Sequence, residues 1–110
     1  MGITKTDEFN EVQNELAVIA KAIGHPARIA ILQYLSKTNT CICGDIVNEL
    51  PLAQPTVSQH LKELKNAGLI KGTIEGKAIC CCIDETGLKK MERFFLALNE
   101  QLTSTKNNCC

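Results

Sequence analysis

Three features of the 110-residue chain predict a mainly α-helical domain with one small β-hairpin. Apolar residues recur in steps of three and four near both ends: Phe9, Val12, Leu16, Ile19 and Ile23, then Leu88, Met91, Phe95, Leu98 and Leu102. That spacing lines one face of a helix. Two runs rich in β-formers, 69–74 and 77–83, flank Glu75-Gly76, where glycine can supply the positive φ of a tight turn. Between them and the first stripe lie shorter amphipathic segments punctuated by proline. The length suits a single domain over 1–102, followed by a flexible, cysteine-terminated tail over 103–110.

In chain order, the first stripe predicts a helix over about 7–23, ended by Gly24 as a C′ residue. His25-Pro26 opens a second helix to about residue 37, with Pro26 near its first position and Ala27, Ile31, Tyr34 and Leu35 on one side. The polar stretch 36–40 reads as a loop. A short helix over about 44–50 stops at Pro51. After Leu52-Ala53, Gln54 can cap a helix that has Pro55 at its first position and runs to Asn66, closed by Ala67-Gly68. Helix, short turn, helix is the helix-turn-helix arrangement, and the hairpin after it is a wing. A last helix covers about 85–102.

Twelve basic residues balance twelve acidic ones. The distribution is uneven, however: 54–77 carries Lys62, Lys65, Lys71 and Lys77 against Glu63 and Glu75, a local footprint suited to nucleic acid. No apolar run reaches the roughly 18 residues of a membrane span, and the acidic N-terminus lacks a signal-peptide core, so a cytoplasmic protein without a membrane partner is expected. The seven cysteines form three groups: Cys41 and Cys43, then Cys80, Cys81 and Cys82, then Cys109 and Cys110. An odd count without a C-x-x-C pair argues against a disulfide framework, a zinc ribbon and a thioredoxin motif. No Gly-rich C-x₅-R loop exists to cradle an oxyanion, so a thiol enzyme such as an arsenate reductase is not expected.

On a helical wheel centred on Val57, Leu61 and Leu64 fall within about 40°, defining a buried face. Pro55, Gln59, Lys62 and Asn66 lie opposite, with Thr56 and Ser58 on the flanks. Gln and Asn can pair with adenine, Lys can reach guanine or phosphate, and hydroxyls near a helix N-terminus suit phosphate oxygens. A solvated polar face would have the same composition. Gln54, Thr56, Ser58, Gln59, Lys62, Lys65, Lys71 and Lys77 are the candidate DNA-binding residues, with Lys71 and Lys77 read as flanking the wing turn and gripping the backbone.

GHPARIAILQYL, CICGDIVNEL and QPTVSQHLKELKNAGLIKGTIEGK, in this order, resemble the ArsR/SmtB family of arsenic- and metal-responsive winged-helix repressors over about 8–102. The resemblance implies a homodimer paired through its first and last helices, which binds a palindromic operator and is released by inducer. The two end stripes had already suggested that pairing, since a small winged domain offers little core for both. His25 and His60 match positions where family members carry histidine without metal. The family's zinc, nickel or cobalt site across the last helices needs histidine, and 88–102 has none.

Cys41-Ile42-Cys43 stands where the family's arsenite and cadmium/lead sensors carry a C-x-C motif, at the entry to the short helix over 44–50. There the helix dipole would lower the thiol pKa, and thiolates select soft ions. As(III) or Sb(III) is therefore the expected inducer, with no organic cofactor. The family's third cysteine is replaced by Ile46. Cys109 or Cys110 can reach to supply the missing sulfur, the competing reading being a two-sulfur site completed by a small thiol or water, and Cys80, Cys81 and Cys82 are assigned to strand packing: Cys80 and Cys82 on one face, Cys81 on the other. The alternative reading is a repressor of the same fold that senses oxidants or reactive sulfur through a disulfide.

Overall fold

A computed structural model of the chain describes residues 8–38, 41–43, 50–75 and 78–104. The short helix expected over 44–50 falls, but for Leu50, outside the described residues, as do Gly76 and Lys77, where the hairpin turn is expected, and Cys109 and Cys110.

Helix α1 (Glu11–Ile23) begins later than residue 7 because Asn10 caps it. The Asn10 side-chain Oδ1 accepts from the Gln13 backbone amide at 2.7 Å, and the Gln13 side-chain Oε1 accepts from the Asn10 backbone amide at 3.0 Å. This reciprocal pair satisfies two donors that a helix start otherwise leaves orphaned. Gly24 is the C-cap itself at φ −82°, so the left-handed C′ role expected for it is not used. Helix α2 (Pro26–Ser36) is capped by His25, whose Nδ1 accepts from the Ala27 amide at 3.1 Å, and Pro26 suits the first turn because its missing donor would be unpaired anyway.

Helix α3 (Gln54–Asn66) has Ala53, not Gln54, at its cap and no side-chain capping bond; Gln54 is already helical. Its far end matches expectation. Gly68 has φ +78°, its amide donates to the Lys65 carbonyl at 3.0 Å, and the Leu69 amide donates to the Leu64 carbonyl at 3.0 Å. Those two bonds are the Schellman termination, which needs a residue without a Cβ penalty in the left-handed region.

The sheet departs from the expected two-stranded wing. Strand β1 (Ile42–Cys43) joins β2 (Ile70–Glu75) and β3 (Ala78–Ile83) in the order β1-β3-β2, both pairings antiparallel. Residues 42–43 are therefore strand, and the helix they were expected to lead into lies outside the described residues. Asp84 then starts helix α4 (Glu85–Ser104) by accepting from the Thr86 amide at 3.0 Å, a bond that holds the Asp84 carboxyl below its ordinary pKa.

The core gathers Ile19 and Ala22 of α1, Ile31 and Leu35 of α2, Val57, Leu61 and Leu64 of α3, and Leu69, Ile70, Ile74, Ile79 and Cys81 around the sheet. The end stripes are buried only in part. Ile19 is buried and Leu16 and Ile23 half-buried, whereas Phe9 and Val12 are exposed. On α4 Met91 alone of its stripe is half-buried, while Leu88, Phe95, Leu98 and Leu102 are exposed, the last at 69%. A Lys90–Glu15 ion pair at 3.1 Å links α1 to α4, but its partial exposure makes it worth little.

Gly87 seats α4 on the α3–β2 turn. Its amide donates to the Gly68 carbonyl at 2.8 Å, and a Cβ at Gly87 would come within 2.6 Å of that same oxygen. Backbone cannot yield as a flexible side chain does. Gly87→Ala should therefore lower unfolding stability by about 1–3 kcal/mol; a urea midpoint equal to wild type would show that the contact is loose.

Candidate nucleic-acid interface and cysteine cluster

Burial sorts the residues of α3 as the wheel predicts. Val57, Leu61 and Leu64 are wholly inaccessible and His60 is nearly so, while Thr56, Gln59, Lys62, Lys65 and Asn66 are exposed, and Gln54 and Ser58 half-buried. Burying each aliphatic side chain contributes roughly 1.5–3 kcal/mol, so rotating α3 to present its other face is costly. The polar face is therefore held outward. Gln59 donates from Nε2 to Glu63 at 3.1 Å one turn on, which braces its amide along the helix.

Two lysines of the predicted set are placed differently from expectation. Lys65 donates from Nζ to the Gly72 carbonyl at 2.6 Å, tying α3 to β2. Lys71 does not flank the wing turn. The register pairs Lys71 with Cys82 and Glu75 with Ala78, so Lys71 lies at the base of the wing, four positions or roughly 13 Å before Glu75. It is an exposed cation beside the cysteines. Lys77 lies outside the described residues.

His60 anchors the helix from behind. Its Nδ1 accepts from Arg28 Nε at 3.0 Å, Arg28 Nη1 donates to the Ala22 carbonyl at 3.2 Å, and the His25 ring lies 4.5 Å away, centroid to centroid. One guanidinium thus joins the end of α1, α2 and α3. Burial lowers the His60 pKa, and the neighbouring His25 and Arg28 add to the shift. Neither histidine meets the other as a metal pair: one caps α2 and the other accepts from arginine.

The cysteines are where the fold overturns the sequence expectation most. β1 pairs with β3 so that Cys43 faces Cys80 and Ile42 faces Cys81. The alternation puts Cys41, Cys43, Cys80 and Cys82 on one side and Cys81 in the core on the other. Cys41 is disulfide-bonded to Cys82 and Cys43 to Cys80, with Cα–Cα distances of 4.3 and 4.0 Å. Such short separations belong to the narrow, non-hydrogen-bonded pairs of an antiparallel ladder. The strand cysteines are therefore partners of Cys41 and Cys43 rather than mere packing, while Cys109 and Cys110 lie outside the described residues. Cys81 packs as expected, and burial raises its thiol pKa and leaves it inert. With four sulfurs in disulfides, the described residues contain no group of three His, Cys, Asp or Glu side chains arranged to hold a metal ion. Sequence reasoning missed this cluster, although the matched two-residue spacings of Cys41/Cys43 and Cys80/Cys82 were a signal for it.

The depressed His60 pKa sets a direction for stability against pH. The unfolded imidazole titrates near its ordinary 6.5 and the folded one lower, so on acidification the unfolded chain takes up its proton first. The contribution of His60 is complete above the unfolded value and lost as pH falls through the folded one. Urea midpoints should drop between about pH 7.5 and about pH 5.5, and His60→Gln should flatten that slope; an equal slope in the variant would place the titration elsewhere.

Residues 25–71 match the family described as bacterial regulatory protein, arsR family. An uncharacterized HTH-type transcriptional regulator of Methanocaldococcus jannaschii is 43% identical over 67 residues, which are 60% of this chain and 74% of that one. A homolog of the cadmium resistance transcriptional regulatory protein CadC from Staphylococcus aureus is 32% identical over 98 residues, 87% of this chain and 80% of the relative. The arsenical resistance operon repressor of Staphylococcus xylosus is 38% identical over 56 residues, 51% of this chain and 53% of the relative. In shape, the crystal structure of an ArsR family transcriptional regulator superposes with a TM-score of 0.73 at 22% identity, covering 84% of this chain and 94% of that one. The helical scaffold, the outward polar face of α3 and these relatives together place the chain in the ArsR family of winged helix-turn-helix, DNA-binding transcriptional regulators, which are not enzymes.

Proposed function

We propose that this regulator is a homodimeric, cytoplasmic repressor whose hold on operator DNA is controlled by the thiols of Cys41, Cys43, Cys80 and Cys82. The observation that carries the reading is that two chain segments about forty residues apart place four sulfurs on one side of the sheet that forms the wing. When reduced, Cys41, Cys43 and one β3 thiol can supply the three sulfurs that As(III) or Sb(III) takes. The arsenical and cadmium resistance names of two relatives support a soft ion of this kind. The alternative, an oxidant- or reactive-sulfur-sensing repressor, is favoured by the pairing itself, because disulfides in cytosolic proteins are usually transient and redox-sensing. Dimer formation through α1 and α4 is supported by the apolar side chains those helices leave exposed, among them Val12, Phe95, Leu98 and Leu102.

DNA reading is assigned to the exposed face of α3. Gln59→Ala should cost about 1–3 kcal/mol on DNA from upstream of the gene with little change on random DNA, whereas Lys62→Ala should weaken both and flatten the salt dependence. Fluorescence anisotropy at several salt concentrations measures this, and wild-type binding by both variants would mean that another surface reads the DNA.

Release from that DNA by arsenite tests the sensing chemistry. Pre-reduced wild type should be released by As(III), Cys41→Ser and Cys43→Ser should still bind DNA but resist release, and truncation after Thr105 should leave release intact. Release by peroxide alone, with reduced protein indifferent to As(III), would decide for the redox alternative. Loss of release on truncation would restore the tail cysteines Cys109 and Cys110 to the site.

A further inference from the structure

We infer that the two disulfides are chemically unequal: Cys41–Cys82 is the one opened by a small, uncharged thiol, because Lys71 stands ready to stabilise the thiolate it releases. The inference builds on the thiol-sensing reading above and names the chemistry and the place of entry.

The sheet register provides the asymmetry. Cys41, just before β1 and linked to Cys82 by the disulfide, falls in one row with Cys82 and Lys71, and Cys43, Cys80 and Thr73 in the next such row. Directly opposed residues of an antiparallel pair bring their Cβ atoms to about 4.5–5.5 Å, so a cation faces Cys82 and a neutral hydroxyl faces Cys80. Lys65, the cation nearest Gly72 in hydrogen bonding, is committed to that carbonyl at 2.6 Å. A cleft of about 440 Å³ opens on the first row, lined by Ser36, Cys41, Lys71, Cys82, Ile83 and Glu85. That is room for a small organic thiol.

The step balances as follows. A thiolate RS⁻ attacks Sγ of Cys41, the more exposed of the two residues. The Cys41–Cys82 bond breaks and its electron pair leaves on Cys82 as a thiolate, while RS–S–Cys41 forms. A second RS⁻ attacks the R-bearing sulfur, giving RSSR and the Cys41 thiolate, so two thiols are oxidised and one protein disulfide is reduced. A leaving thiol of lower pKa departs faster, and an adjacent ammonium lowers it. Asp84, whose carboxyl feels the Lys71 charge, adds negative charge near that lysine, and Glu85, paired with Lys89 at 4.0 Å, lines the same cleft. They disfavour a thiol whose R group carries a further negative charge and leave one with a neutral R group as the better reagent.

The test uses the full chain oxidised with diamide and exposed to 2-mercaptoethanol, with acid quench, alkylation and peptide mass spectrometry following each cysteine. Cys41 and Cys82 should become alkylatable at an initial rate at least about threefold that of Cys43 and Cys80. Lys71→Gln should erase the difference, Lys71→Arg should keep it, and Thr73→Lys should speed the opening of Cys43–Cys80. Circular dichroism checks that each variant is folded. Equal rates in wild type, a difference that persists in Lys71→Gln, or other pairings on oxidation would overturn the inference. A parallel anisotropy measurement on upstream DNA separates the two readings: unequal opening with unchanged DNA affinity would sustain this inference and refute thiol sensing.

Discussion

Strand β3 is hydrogen-bonded on both edges, and most of the architecture follows from its pleat. Successive side chains must point to opposite sides, so Ile79 and Cys81 enter the core while Cys80 and Cys82 cannot. Its antiparallel partners then inherit their facing. On one edge Cys43 and Cys41 are brought to the outward cysteines, and on the other Lys71 is brought to the same row. A shift of one residue in either register would bury charged or polar side chains and expose the core set, which is why the arrangement is specified so strongly.

The position of α3 depends on a second, polar constraint laid over the apolar one. Val57, Leu61 and Leu64 orient the helix about its axis, but apolar contact alone permits sliding. Arg28 limits that freedom by bonding at once to His60 and to the Ala22 carbonyl, and Lys65 does the same from the other side through Gly72. Gly72 can hold its φ of +128° only without a side chain, since a Cβ there would run into the Cys80 backbone. Helix α3, the wing and the strand that carries two of the cysteines are therefore mechanically one unit.

That unity gives the proposed regulation its physical content. β1 immediately precedes the segment that leads to α3, and β3 is half of the wing, so covalent links between them join the approach to the helix-turn-helix with the wing. Binding an ion across these sulfurs, or making and breaking disulfides among them, would change how two parts proposed to face DNA are tethered. A change in tether biases DNA affinity only to the extent that the two states differ in their fit to DNA. Redox state and soft-ion capture compete for the same sulfurs, so a protein with both disulfides closed has no thiolates there to offer As(III).

What could be read from the chain alone was whatever rests on local periodicity. The stripes of α1 and α4, the buried and outward faces of α3, the glycine stop at Gly68 and the alternation of Cys80, Cys81 and Cys82 all arise from backbone geometry within a few residues, and each appears in the structure with boundaries moved by no more than a few positions. The ordered motifs also carried the family. The cysteine pairing, the place of Lys71 and the tie from Lys65 to Gly72 needed the tertiary fold. Strand β1 is two residues long and has no period to detect. The disulfides close loops of 41 and 37 residues, and Lys71 meets the sulfurs only through the register of β2 on β3. Such contacts are chosen by the packing of the whole core against long-range loop entropy, a balance that no local pattern encodes.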